Sequence, residues 1–354
     1  MKKSLSILLA MAVAASCLFT GCSSSDSSSG NAAPDADGVY ELRLATDLTT
    51  ESFMVTELQK ACDEVSSWTD GKVQITMYPG QQLGSYPAVH SQLITGDIDM
   101  TANYVDPNYD QRLNVFIFPA LVEGYDGFKE QMSPGGFLFE LLTEVEADMG
   151  IKALGAMNSG LMGIGSVKEP AASFAEAIDF NVKKDVLLRI PSMDVYMYLM
   201  QGMGYRTTTI SYSDLYPALQ SGVADGWMGG TAEVNWMSFR DVINYFVDLQ
   251  VLDKVMPILI NQKTYDSLPE EYQTVISEVF FDCSMSIADM AEEQANQSIQ
   301  NMEGAGITVY EGTEEERAQL FADVRKNNVW PQLVDLIGED LFNEVTEEFG
   351  VDLG

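Results

Sequence analysis

Arg189 interrupts an otherwise apolar run, Val186-Leu187-Leu188-Arg189-Ile190-Pro191. A guanidinium keeps its proton at physiological pH and meets a carboxylate through two parallel hydrogen bonds. An arginine half-buried in a strand therefore serves an internal acid or an anionic ligand. Openings for catalysis are fewer. His90 is the only histidine and no Gly-x-Ser-x-Gly elbow accompanies it, which leaves no basis for a serine or cysteine triad. Met193, Met197, Met200 and Met203 fall on one helix face, read as the buried side of an amphipathic helix rather than a copper site. Asp106-Pro107-Asn108-Tyr109-Asp110 opens like a calcium loop, yet Gln111 stands where the turn glycine is needed and Ile117 where a bidentate glutamate is needed. Carboxylates are plentiful, but none stands out as an acid–base pair, and no metal or cofactor is expected.

The elements that must position Arg189 read as alternating strands and helices, the pattern of parallel sheets packed between helix layers. A strand over 40–45 precedes a helix over 51–67, a strand over 72–78 and a helix over 86–95 that stops at Gly96. A strand over 97–103 follows, then a long helix over 125–149 and two strands, 151–157 and 161–167. After the arginine strand come a helix over 192–203, a strand over 206–210 and a helix over 212–221 closed by Gly222. Residues 254–261 read as a strand and 270–302 as a helix long enough to lie across two domains. The acidic tail, 314–353, reads as helical, and no internal repeat is found.

Gly71-Lys72-Val73 leading to Pro79-Gly80-Gln81-Gln82-Leu83-Gly84, and the arginine strand followed by Leu215 to Gly226 with its Asp225-Gly226 close, together resemble the DctP family. These are the solute-binding proteins of tripartite ATP-independent periplasmic (TRAP) transporters. In that family the arginine block reads roughly Lys-Ile-Arg-Val-Pro, and its arginine clamps the substrate carboxylate. The resemblance runs over about 42–302 and implies a two-domain, periplasmic-binding-protein-like α/β fold with crossover strands and a long helix spanning both lobes. The lobes are expected at 39–156 plus about 252–285, and at 157–251 plus about 286–354.

Two departures from the family bear on the ligand. The family continues Asp-Gly-Gln-Glu-Asn-Pro where this chain reads Asp225-Gly226-Trp227-Met228-Gly229-Gly230, so the ligand-binding amide is absent. Many members carry a second arginine in a Gly-Phe/Leu-Arg block, matched here by Gly160-Leu161-Met162. A segment over 169–186 also diverges. A singly cationic, largely apolar pocket is expected, with Trp227, Met228, Met162 and Tyr104 as walls and Asp47, Asn103 and Asn158 as orienting polar groups. Each unmatched neutral polar group of a ligand would cost roughly 1–3 kcal/mol in such a pocket. The expected ligand is therefore a monocarboxylate with an apolar or aromatic body, not a dianion.

The amino terminus reads as an export signal over 1–21: Lys2 and Lys3, an apolar core, then Leu18-Phe19-Thr20-Gly21-Cys22, which resembles a lipobox with lipidation expected at Cys22. A flexible tether over 22–38 follows, so the protein is expected outside the cell membrane on a lipid anchor, as a monomer. With 53 acidic against 19 basic residues and a net charge of −34, nucleic acid is excluded as a partner. Cys62 and Cys283 read as core thiols. The expected role is that of a non-enzymatic receptor passing an organic acid to the TRAP permease subunits. The alternatives are a solute-binding lipoprotein of another importer class and a surface hydrolase.

Overall fold

The computed structural model describes residues 33–353. The export signal, Cys22 and the first part of the tether lie outside them. Strand β1 (Tyr40–Ala45) leads through helix α1 (Phe53–Trp68) to β2 (Val73–Tyr78), then α2 (Tyr86–Thr95) and β3 (Met100–Ala102). Helices α3 (Gly124–Gln131) and α4 (Phe137–Asp148) precede the long strand β4 (Ile151–Ser166). Next come α5 (Phe174–Ile178), β5 (Leu187–Ile190), α6 (Asp194–Gly202), β6 (Arg206–Thr209), α7 (Leu215–Ser221), β7 (Gly226–Thr231), α8 (Ala232–Val234) and β8 (Tyr245–Asp248). Last are β9 (Asp253–Asn261), α9 (Gln262–Ser267), the 35-residue α10 (Glu270–Gly304), β10 (Thr308–Glu311), α11 (Glu314–Ala322), α12 (Val334–Ile337) and α13 (Glu339–Glu348).

Strand β4 joins the two halves of the sheet. Its first part, Ile151 to Leu161, pairs antiparallel with β9, which pairs with β3; β1 lies between β3 and β2 in parallel. From Met162 onward the same strand pairs with β7 on one side and β8 on the other. Strand β5 sits in parallel between β7 and β6, and β10 extends β8. Helix α10, about 50 Å long at 1.5 Å per residue, feeds both cores. Phe280 and Ile287 pack with Leu58 and Val65 of α1, while Ile299 and Met302 pack with Leu215 and Phe246. It reaches β4 closely because Gly155 has no side chain: a Cβ there would stand 2.6 Å from Ser284 Oγ and 3.3 Å from the Phe280 carbonyl.

Four sequence expectations change. The helix expected over 125–149 is broken by Ser133-Pro134-Gly135-Gly136, where proline lacks a backbone donor and Gly135 takes φ +89°. The two strands expected over 151–167 are one, because Asn158-Ser159-Gly160 stays extended through a register slip against β9. Strands β8 and β10 are additional. The tail is not one helix and does not belong to the second half alone. Arg317 pairs with Asp248 at the end of β8, but Arg325 Nε donates to the Ala120 carbonyl at 2.7 Å and Trp330 Nε1 to the Pro119 carbonyl at 2.8 Å. The tail therefore crosses to the segment before α3, and the expected lobe boundary at 286–354 is corrected. Cys62 and Cys283 are free thiols, the pKa of each pushed up to about 12 by burial.

Candidate functional site

Strand β5 carries Arg189 between Thr208 of β6 and Trp227 of β7. The residue is 6% exposed, and Nε donates to the Ile210 carbonyl at 2.7 Å. Among the described residues no carboxylate lies within ion-pair distance of it, in a chain with 53 acidic side chains. Burial draws its pKa below the usual value, with the Tyr196 and Tyr212 hydroxyls acting the other way. The guanidinium still keeps its charge, and among the described residues its one hydrogen bond is the Nε contact to Ile210.

Beside it a cavity of about 520 Å³ opens between the halves of the sheet. Tyr86, Tyr104, Met162, Tyr196, Asp253 and Lys254 are among its walls. Arg189 is not itself a wall residue; it is the electrostatic neighbour of Tyr196, which is. Lys254 opens β9 with Nζ 5.0 Å from the centre of the Tyr104 ring. Tyr212, 56% exposed, feels the charges of both Lys254 and Arg189. Asp253 turns away from Lys254: its Oδ1 accepts from Asn158 Nδ2 at 2.9 Å, and burial pushes its pKa up to about 7.

The expected site residues divide between wall and framework. Met162 and Tyr104 line the cavity, and the Tyr196 hydroxyl donates to Met162 Sδ at 3.3 Å. Trp227 does not: it is 1% exposed, its Nε1 donates to Asn235 Oδ1 at 3.0 Å, and its ring lies 4.8 Å from that of Phe239. Met228 is fully buried in the main core. Both were expected as walls, and the strand's neighbours on either face claim them instead. Asn158 is fully buried between Asp253 and the Gly160 amide. Asn103 accepts from the Asp47 amide at 2.7 Å and so ties two loops together. Asp47 Oδ2 accepts from Gln81 Nε2, while Oδ1 is buried and unpartnered. Met193 of the methionine row lines the cavity, whereas Met200 and Met203 are core. Asp106 forms a turn with Asn108, accepting from its amide and its Nδ2.

Sequence reasoning missed Lys254, and with it the second cation, so the expectation of a singly cationic pocket is corrected. The signal was present: Asp253-Lys254 opens a strand that is otherwise Val255-Met256-Pro257-Ile258-Leu259-Ile260. It is the same anomaly that marks Arg189.

Residues 44–332 match the family described as bacterial extracellular solute-binding protein, family 7, DctP. The chain belongs to this family. Its members are the solute-binding receptors of TRAP transporters, working on the extracytoplasmic side. The C4-dicarboxylate-binding periplasmic protein DctP of Rhodobacter capsulatus is 25% identical over 71% of this chain and 74% of its own. A TRAP solute-binding protein of Ochrobactrum anthropi, with its C-terminus bound in the ligand pocket, superposes with a TM-score of 0.75 at 22% identity, covering 88% of this chain and 94% of that one. One from Desulfovibrio salexigens, with bound orotic acid, gives 0.71 at 21%, covering 88% and 99%. These neighbours establish the two-domain fold. Within the DctP pattern, the family's asparagine position is held here by Gly229, which lines the cavity at φ +121°, a backbone state side chains rarely adopt. No helix among the described residues is long and apolar enough to cross a membrane.

Proposed function

We propose that this TRAP receptor captures a monocarboxylate with an apolar or aromatic body, clamping the carboxylate on Arg189 as the lobes close, and delivers it to the permease. One observation carries the reading: a buried arginine with a single backbone partner and no carboxylate, in a strongly acidic chain. Tyr104, Tyr86, Tyr196 and Met162 supply flat and apolar walls suited to such a body. Orotic acid, bound by the Desulfovibrio relative, is a flat monocarboxylate, although its ring carries polar carbonyl and N–H groups. Closure needs a ligand that binds the closed form better than the open one, and a carboxylate bridging an arginine on one lobe to walls on the other does so. The receptor acts without catalysis, as a monomer held to the membrane through lipidated Cys22.

Isothermal calorimetry with aromatic monocarboxylates, sugar acids and C4-dicarboxylates tests the reading. Arg189→Ala is expected to weaken the best ligand by roughly 100-fold or more, since losing a charge-assisted pair costs about 3 kcal/mol. Arg189→Lys recovers little, because a point ammonium does not reproduce the fork. Unchanged affinity in Arg189→Ala, or tight dicarboxylate binding beside weak monocarboxylate binding, refutes it.

A further inference from the structure

Lys254 stands in the cavity without an acid. Its Nζ lies over the Tyr104 ring, and no carboxylate among the described residues comes within ion-pair distance of it. The adjacent Asp253 spends Oδ1 on Asn158. Glu233 is the carboxylate that responds to Lys254, through space and not through a contact. An ammonium has three donors, and a ring face is a weaker partner for them than an oxygen would be. The donors of Lys254 are therefore available to whatever enters the cavity.

Charge decides what kind of oxygen that is. Arg189 and Lys254 bring two positive charges to the same neighbourhood, both sensed by Tyr212, while Glu233 acts on Lys254 from a distance and Asp106, Asp194 and Asp253 stand in the cavity wall. With these acids around it the cavity does not favour a second carboxylate on the ligand. Met162 and Gly229 offer no side-chain donor to the cavity, and beside the neutral donors Asn108, Asn114, Ser192 and the tyrosine hydroxyls Lys254 is the one cation among its described lining residues. Taking the carboxylate clamp of the preceding section as given, we propose that Lys254 is the specificity-determining residue. Its ammonium donates to an uncharged carbonyl or hydroxyl oxygen of the bound monocarboxylate, so that oxo- and hydroxy-substituted acids are selected over plain ones.

Three acids of one skeleton test this by calorimetry: 3-phenylpropionate, phenylpyruvate and 3-(4-hydroxyphenyl)propionate, against the wild type, Lys254→Met and Arg189→Lys. The wild type is expected to bind at least one substituted acid about 10-fold or more tightly than the plain acid, the discrimination one good charged hydrogen bond provides. Lys254→Met is expected to erase that preference while leaving the plain acid within about 3-fold, and Arg189→Lys to weaken all three. Thermal melting checks that each variant folds; should Lys254→Met not fold, Lys254→Leu, which also removes the donor, takes its place. Equal binding of all three acids by the wild type, or a preference surviving in the lysine variant, overturns the role of Lys254. If Arg189→Lys still weakens binding in that case, the receptor reading stands alone. Failure of every acid to bind overturns both.

Discussion

Arg189 and Glu146 are both buried, and burial opposes charge in each, but only one of them can yield. The arginine keeps its proton, the state on which the proposed carboxylate clamp rests. Glu146, 1% exposed, gives way: burial pushes its pKa up to about 8, with Asp110 adding in the same direction. Its Oε2 stands 3.9 Å from His90 Nε2, and neither atom has a hydrogen-bond partner. Burial pushes His90 down while Asp106 opposes. A carboxyl whose folded pKa is raised favours the fold fully below its unfolded value of 4.5 and loses that contribution as pH rises through about 8. Each tenfold change in proton affinity is worth about 1.4 kcal/mol, so a few kcal/mol are at stake. Glu146→Gln is therefore expected to melt progressively higher than the wild type as pH goes from about 5 to about 8.5, the gap widening with pH in calorimetric scans. A gap that does not change with pH would contradict this. Among single residues the sequence revealed Arg189 through a charge in an apolar run. It misplaced Trp227, because which face of β7 a side chain meets depends on Asn235 and Phe239, remote from the strand in pattern if not in number.

At the scale of elements, the contact between β4 and α10 fixes how the two halves share a backbone. Gly155 makes that contact possible, since a Cβ would press on Ser284 Oγ at 2.6 Å and Ser284 Cβ at 3.1 Å. Gly155→Ala is expected to destabilise the protein by about 1–3 kcal/mol, the usual range for overpacking. Pairing it with Ser284→Gly should recover part of the loss in urea titrations, and strictly additive losses would show the two positions uncoupled. Strand and helix periods were readable along most of this framework. The break between α3 and α4 was also written in Ser133-Pro134-Gly135-Gly136, but the continuous β4 was not. Asn158-Ser159-Gly160 looks like a turn, and is held extended by β9 through the Asn158–Asp253 hydrogen bond.

For the whole molecule, a net charge of −34 opposes the approach of an organic anion, while Lys254 in the cavity wall and Arg189 near it would attract one at short range. Raising salt from about 10 mM to about 150 mM contracts the screening length from roughly 30 Å to roughly 8 Å, which removes the distant repulsion and spares the buried contact. The association rate of the acid, followed by tryptophan fluorescence in stopped flow, is expected to rise over that interval. A falling rate would mean that the local cations dominate at long range. Bound ligand should also stabilise the closed molecule, by about 2.7 kcal/mol at about 100 times Kd, seen as a higher melting temperature. Arg189→Ala should lose that increment while melting normally without ligand.

The sequence by itself determined the alternating α/β order, the long helix shared by both halves, the family, and the residue on which a carboxylate clamp is proposed. Each of these is set by local periodicity, or by a charge that has no business in an apolar strand. Only the tertiary structure decided which side chains share the cavity. It brought Lys254 from β9 to the Tyr104 ring, buried Trp227 and Met228 in the core, and carried the tail across to Pro119 and Ala120. The physical reason is that pairing order in a sheet, and the helices laid on each of its faces, choose a residue's neighbours from distant parts of the chain, and no spacing along a single strand encodes them.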